Sequence, residues 1–204
     1  GRGVAQGRMT KADRGAAMAA SVARTARGFG VAPEGLRTLA AAHALAMEPR
    51  VDLLDDDHDP RFLHPGRTAL ILMRDVGVVE GDVLAAACLV ESEEARFRIE
   101  ADRIRRAVGD GVAEVVAAVP SPLGEALAEE LVTAGTDVRL VALAERLDQL
   151  RHVHLLGADA AWQAAALEQA QAIYLPVAER TNERLAARYR HWCRAFSRRR
   201  PAAE

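Results

Sequence analysis

His64 stands immediately before Pro65, at the head of an apolar-periodic stretch made by Ala69, Leu70, Leu72, Met73 and Val76. An imidazole in that place can be a metal ligand, or a helix N-terminal residue whose hydrogen bonds are met locally. Glu91, Glu93 and Glu94 follow a run that is apolar nearly all round, residues 83–89. Acidic charge at a helix C-terminus opposes the macrodipole, so the cluster is either a solvated turn or a group kept for another purpose. Glu145 and Arg146 lie inside a helical pattern of Leu143, Leu147 and Leu150, and packing alone explains that pattern. The acidic stretch Asp55, Asp56, Asp57, His58 and Asp59 lacks the spaced glycine of calcium loops and reads as a solvated loop. His152 and His154 share a spacing that converges on a strand but diverges on a helix, and are read as helix-end residues in favourable dipole contact. Cys88 and Cys193 fit no metal spacing and no disulfide framework, which predicts buried free thiols.

The elements that must position these groups are helices. Thr10 caps a first helix to about Arg27, before Gly28 and Gly30; Pro33 starts a second that must stop before Pro49. Pro65 opens a third, closed by Gly77. A fourth covers residues 82–91 at the centre of the bundle. Further helices are predicted at 98–108, 112–119, 123–134, 137–152, 159–173 and 176–196, with breaks at Gly109, Pro120, Gly135, Gly157 and Pro176. There is no hairpin signal, no internal repeat and no strand–helix alternation. Half of the 204 residues are apolar, much of that alanine, while aromatic residues make up only 4%; that composition favours helix over strand. The expected architecture is a compact all-α multi-helix bundle at residues 31–197. Residues 1–30 form an arm or helix that docks loosely, and 198–204 form a basic tail continuing from Arg194.

With 27 basic and 29 acidic residues and a net charge of −2, the chain as a whole gives no electrostatic case for nucleic acid or membrane. No apolar run approaches the ~18 residues that span a bilayer. The N-terminal residues lack the layout of a signal peptide, so a cytoplasmic setting is expected.

Four segments, in order, carry a resemblance. Pro60, Arg61, Phe62, Leu63, His64 and Pro65 lead into a helix. Residues 82–89, from Asp82 to Cys88 and Leu89, follow one helix later. Next come Val108, Gly109, Val112, Ala113 and Val116. Last is Ala142-Leu143-Ala144-Glu145-Arg146-Leu147-Asp148-Gln149-Leu150-Arg151, ahead of Tyr174, Pro176, Ala178 and Arg180. This succession, over roughly residues 58–196, resembles the (p)ppGpp-hydrolase HD domain of RelA/SpoT enzymes, including the small stand-alone forms. There the segments read "HP", "AALLHD..ED", "FG..VA..V", "KLADRLHN.R" and "Y.PLA.RLG". The resemblance implies a helical HD fold holding one manganese ion, which activates water to remove pyrophosphate from the 3′ position of (p)ppGpp. It implies His64 as first ligand, an adjacent His-Asp pair at Val90 and Glu91, and a later Asp at Glu145.

This chain departs from that pattern at the ligands themselves. Valine has no lone pair, and each glutamate is one methylene longer than the aspartate it replaces. The following carboxylate pair falls on Glu94 and Ala95, leaving Glu94 as the candidate acid/base residue. The family's stacking arginine falls near Asp55, and its Lys and Asn become Ala142 and Gln149. Arg146, Gln149, Arg151 and Arg180 remain as candidate nucleotide contacts. The expectation is a catalytically impaired homologue that binds a guanine nucleotide or a protein partner, with no tightly held metal. The alternative is a metal-dependent phosphohydrolase with a rearranged carboxylate-rich site of His64, Glu91, Glu94 and Glu145, served by manganese.

Overall fold

The computed structural model describes residues 7–152 and 157–199, and every regular element among them is helical. The expected all-α bundle is what the chain adopts. Helix α1 (Lys11–Phe29) begins at a capping box in which Thr10 and Asp13 satisfy each other's backbone N–H groups, and it ends at Gly30 with φ 87°. It docks through Val22 and Ala26 and lays Met18 over Gly66, where a Cβ would come within 2.4 Å of the methionine. Its Lys11 ammonium donates to the carbonyls of Val51 and Leu54.

Helix α2 (Pro33–Leu53) does not stop before Pro49 but runs through it. Proline costs the helix a hydrogen bond, yet the next residue secures the turn. The Arg50 guanidinium, 2% exposed, donates to the carbonyls of Ala46 and Arg61. Helix α3 (His64–Ile71) widens into a π turn (Leu72–Val76) closed by Gly77 at φ 79°. Helix α4 (Gly81–Leu89) buries Val83 through Leu89 and packs most extensively on α2. Their backbones meet at Gly35 and Gly81, where a Cβ on Gly81 would lie 2.4 Å from the Gly35 Cα. The predicted fourth helix is two residues too long: Val90 leaves with extended geometry, φ −66° and ψ 132°.

Helices α5 (Ala101–Val108), α6 (Asp110–Ala118) and α7 (Leu127–Thr133) cover one flank. Helix α8 (Thr136–His152) is enclosed by neighbours, with Leu140 through Asp148 buried. Helix α9 (Ala160–Gln169) passes through a π turn (Ala170–Tyr174) straight into α10 (Leu175–Thr181), so the break predicted at Pro176 is absent. The wide turn re-registers the ladder just where proline has no N–H to give: the Leu175 N–H bonds the Ala170 carbonyl, five residues back. The break falls at Asn182 instead, whose side-chain oxygen accepts from the N–H groups of Arg184 and Leu185 and starts α11 (Glu183–Arg199). Helix α11 locks onto α8 through Tyr189 Oη, which donates to the Leu143 carbonyl at 2.6 Å, and Trp192 Nε1, which donates to that of Leu150 at 3.0 Å. Arg194, Arg198 and Arg199 lie exposed on α11, while residues 1–6 of the arm, 200–204 of the tail and His154 are outside the described residues. Cys88 and Cys193 are buried free thiols, and burial pushes Cys88 up to about 12. Among the described residues no helix is long and apolar enough to cross a membrane.

His43 of α2 is buried, and its Nε2 has no hydrogen-bond partner among the described residues. Burial, helped by the nearby charge of Arg50, lowers its pKa to about 4 from 6.5. The unfolded chain therefore takes up this proton first on acidification. The stability His43 contributes as a neutral side chain is whole above pH ~6.5 and drains away as pH falls towards 4, by at most about 3 kcal/mol. In urea unfolding at pH 7 and pH 4.5, His43→Leu should lose less stability on acidification than the parent protein. An equal loss in the two proteins would exclude His43 as the cause.

Candidate metal and ligand cleft

Three sequence-distant candidates meet. His64, at the start of α3, Glu91, just past α4, and Glu145, in mid-α8, offer ligand atoms all within 4.8 Å of one another. The chain achieves this because α3 and α4 both pack against α8. Such a His/Glu/Glu group can hold a divalent ion.

His64 is oriented by a residue that the sequence alone did not single out. Its Nδ1 lies 2.5 Å from Asp148 Oδ2. An ionised carboxylate only accepts, so Nδ1 carries a proton, and Nε2 points the other way. Nε2 is buried without a hydrogen-bond partner and lies 3.8 Å from Glu145 Oε2, beyond hydrogen-bond length but within reach of its charge. Burial alone would depress the imidazole pKa; the Asp148 and Glu145 carboxylates outweigh it and raise the value to about 9. A carboxylate behind an imidazole is the arrangement that fixes a metal-binding histidine. Asp148 is in turn bound by Arg67, whose Nε donates to Oδ1 at 2.9 Å and Nη2 to Oδ2 at 3.1 Å. Although Asp148 is buried, its hydrogen bond with His64 and the charges of His64 and Arg67 hold its pKa far below the usual carboxylate range. The signal for Asp148 was its spacing: Glu145 and Asp148 are three apart on one helix and share a face.

Glu91 is engaged on both oxygens. Oε1 accepts the N–H groups of Glu93 and Glu94 at 3.0 and 2.9 Å, folding the chain into a turn beyond α4. Oε2 accepts from Arg50 Nη2 at 2.8 Å. Burial first, and the neighbouring Glu145 charge second, raise the Glu91 pKa. Glu145, 1% exposed, accepts the Ser92 N–H at 3.1 Å. Arg50 was also missed, because nothing local in the sequence marks an arginine that will be buried through contacts 41 residues away.

The remaining candidates divide. Val90 is buried in the core and supplies no donor atom. Glu94 faces Arg61 and Arg96; part-burial pushes its pKa up, but their hydrogen bonds hold it below the usual glutamate value. Arg146 is buried, hydrogen-bonded through its terminal nitrogens to Glu93, Gln149 and Gln169, and placed 5.7 Å over the Tyr174 ring, while its Nε has no partner. Arg151 lies on another face of α8 from Arg146, and Arg180 is exposed on α10. Asp55 is exposed in its loop, and Ala142 is buried.

Two spaces adjoin at Glu93 and Glu94. The slot between His64, Glu91 and Asp148 measures about 30 Å³, room for little more than an ion or a water. Beside it opens a cleft of about 380 Å³ lined by Leu123, Arg146, Trp162, Ala166 and Gln169. Leu123 is 85% exposed and Trp162 38%, so two large apolar side chains stand in solvent at its walls. Trp162 passed unnoticed in the sequence because a lone tryptophan on a helix reads as packing.

No protein-family model matches the chain, and comparison with curated proteins finds no relative.

Proposed function

We propose that the chain is an HD-type helical module related to the (p)ppGpp hydrolases, with an impaired hydrolytic centre, whose cleft binds a guanine nucleotide or a protein partner. The observation that carries this reading is Arg50, whose buried guanidinium lies against Glu91. A divalent cation drawing on that carboxylate must sit beside a permanent positive charge or displace it. Val90 withholds the second imidazole that the resemblance calls for. Glu94, held in its ionised form by Arg61 and Arg96, is a poor proton donor at neutral pH.

Where a divalent metal binds, His64 and Glu145 would hold it, with Glu91 shared between the metal and Arg50; the ion would supply a polarised water for phosphoryl hydrolysis. For binding, the larger cleft has the size of a small-molecule site, an indole, and the polar floor of Arg146 and Gln169. Neither Asp55 nor Ala142 restores the cations that the family places around its substrate.

A second reading, a phosphohydrolase working from the rearranged set His64, Glu91, Glu94 and Glu145, is favoured by one observation. His64 Nε2 is buried, unpartnered and backed by Asp148, as a metal-binding imidazole would be.

Pyrophosphate release from ppGpp, with and without manganese and with enzyme near the substrate concentration, separates the two. Negligible manganese-dependent turnover is expected, since misplacing a nucleophile by ~1 Å can cost ~10²-fold. The triple change Val90→His, Glu91→Asp and Glu145→Asp should improve manganese binding more than turnover, because the substrate contacts stay absent. Robust turnover by the unmodified protein would install the second reading in place of the first.

A further inference from the structure

We propose that the side of α8 bearing Asp148, Arg151 and His152 carries an anion groove for a ligand with two or more phosphate charges. The groove, about 330 Å³, lies between α3, its π turn, α8 and α11 and is lined by Arg67, Arg74, Arg151 and Arg188. Leu70 and Ile71 contribute apolar wall, and Asp75, Asp148 and His152 complete it. The inference does not depend on the metal-ligand group, although Arg67, Asp148 and His152 line both spaces.

Charge is the first support. Four arginines face two aspartates in this groove, whereas the whole chain is acidic by two charges. Arg67 is committed to Asp148 and Arg188 to Asp75, at 2.9 and 3.1 Å. Arg74 and Arg151 have no carboxylate within ion-pair distance among the described residues. His152, whose Nδ1 lies 2.7 Å from the Asp148 carbonyl and whose pKa burial lowers, adds no charge at neutral pH. Two guanidinium charges are thus left over.

Chemistry is the second. Guanidinium forks match phosphate oxygens in paired hydrogen bonds, and arginines arriving from three separate elements can surround a compact polyanion. Arg188 is 55% exposed and bound to Asp75 by its Nε, so its terminal nitrogens remain available to a ligand. Size argues against a nucleic acid: a duplex backbone presents phosphates along a track, and this is one patch closed by Leu70 and Ile71. Inorganic pyrophosphate and organic diphosphate esters share the chemistry recognised here.

The test is calorimetric titration of the full chain with inorganic pyrophosphate in the presence of EDTA, repeated with an organic diphosphate ester. Charge-assisted contacts of this kind are worth about tenfold in affinity each, so Arg74→Gln with Arg151→Gln should weaken pyrophosphate binding about a hundredfold. Arg188→Gln, at an exposed position whose ion pair is with Asp75, should weaken it about tenfold. Arg106→Gln, exposed on α5 away from the groove, should bind like the parent. Unchanged affinity in the groove variants, or no binding at millimolar pyrophosphate, would overturn the proposal. So would loss of binding in Arg146→Gln, which would place the anion in the larger cleft beside the metal-ligand slot. Binding of a DNA duplex that pyrophosphate fails to displace but Arg74→Gln abolishes would replace the small ligand by nucleic acid.

Discussion

Arg50→Met is expected to cost about 3–5 kcal/mol of stability in EDTA and to turn manganese into a stabilising ligand. Arg50 is buried against Glu91, and its charge also reaches Glu145 and Glu94. Removing it deprives the buried Glu91 carboxylate, 6% exposed at its side chain, of the guanidinium bonded to it, and leaves His64 as the cation that Glu91 and Glu145 share. Methionine replaces the aliphatic volume but none of the three hydrogen bonds to Ala46, Arg61 and Glu91. The packing of the guanidinium on the Phe97 ring, 4.8 Å away, is lost as well. A divalent ion can then do what the guanidinium did. With His64 and Glu145 in place and Glu91 released, manganese at ~100 times its dissociation constant would return about 2.7 kcal/mol. The measurement is urea unfolding of parent and variant, each in EDTA and in manganese. Stability within 1 kcal/mol of the parent would mean that Arg50 is no essential counter-ion. An equal manganese response in both proteins would mean that it does not compete for the carboxylates.

Gly81→Ala is expected to destabilise the bundle by about 3 kcal/mol, at the upper end for overpacking. The added carbon would lie 2.4 Å from the Gly35 Cα, 3.0 Å from its carbonyl oxygen and 3.1 Å from its carbonyl carbon. All three are backbone atoms, so no side chain can rotate away and the two helices must part. Helix α4 carries the core and leads through Val90 to Glu91, so a shift at its start should also disturb the His64, Glu91 and Glu145 group. Gly15→Ala is the control: it sits inside α1 with nothing within 4 Å of the added carbon. There alanine should stabilise by about 0.5–1 kcal/mol through helix propensity. Thermal unfolding of the two variants side by side decides the matter. A Gly81→Ala protein as stable as the parent would show that α2 and α4 separate at little cost.

The boundary errors at Pro49 and Pro176 and the missed residues Asp148 and Arg50 share a cause. Proline is a local stop signal, yet α2 continues through Pro49 because Arg50 ties its last turn to Arg61, and α10 carries Pro176 because a π turn adjusts the ladder ahead of it. Asn182, which ends α10 and caps α11, looks like any polar residue on a helix until the backbone turns there. Asp148 and Arg50 gain their roles only from partners 84 and 41 residues away.

What the residue string determined by itself was local: an alanine-rich helical class, the Thr10 cap, the glycine stops at Gly30 and Gly77, and an α4 apolar enough to be central. It also named His64, Glu91 and Glu145 as members of one site, through the order of motifs in a resemblance rather than through their local surroundings. Only the tertiary structure decided what kind of site they make. Charge balance in a buried cleft depends on every ionised group within a few ångströms, whatever its place in the chain. Arg50 and Asp148 arrive there because α2, α3 and α8 converge; Asp148 orients His64, and Arg50 occupies one oxygen of Glu91. The same convergence separates Arg151 from Arg146, five residues apart on α8 but facing different spaces, since a helix turns 100° per residue and each arginine follows its own face.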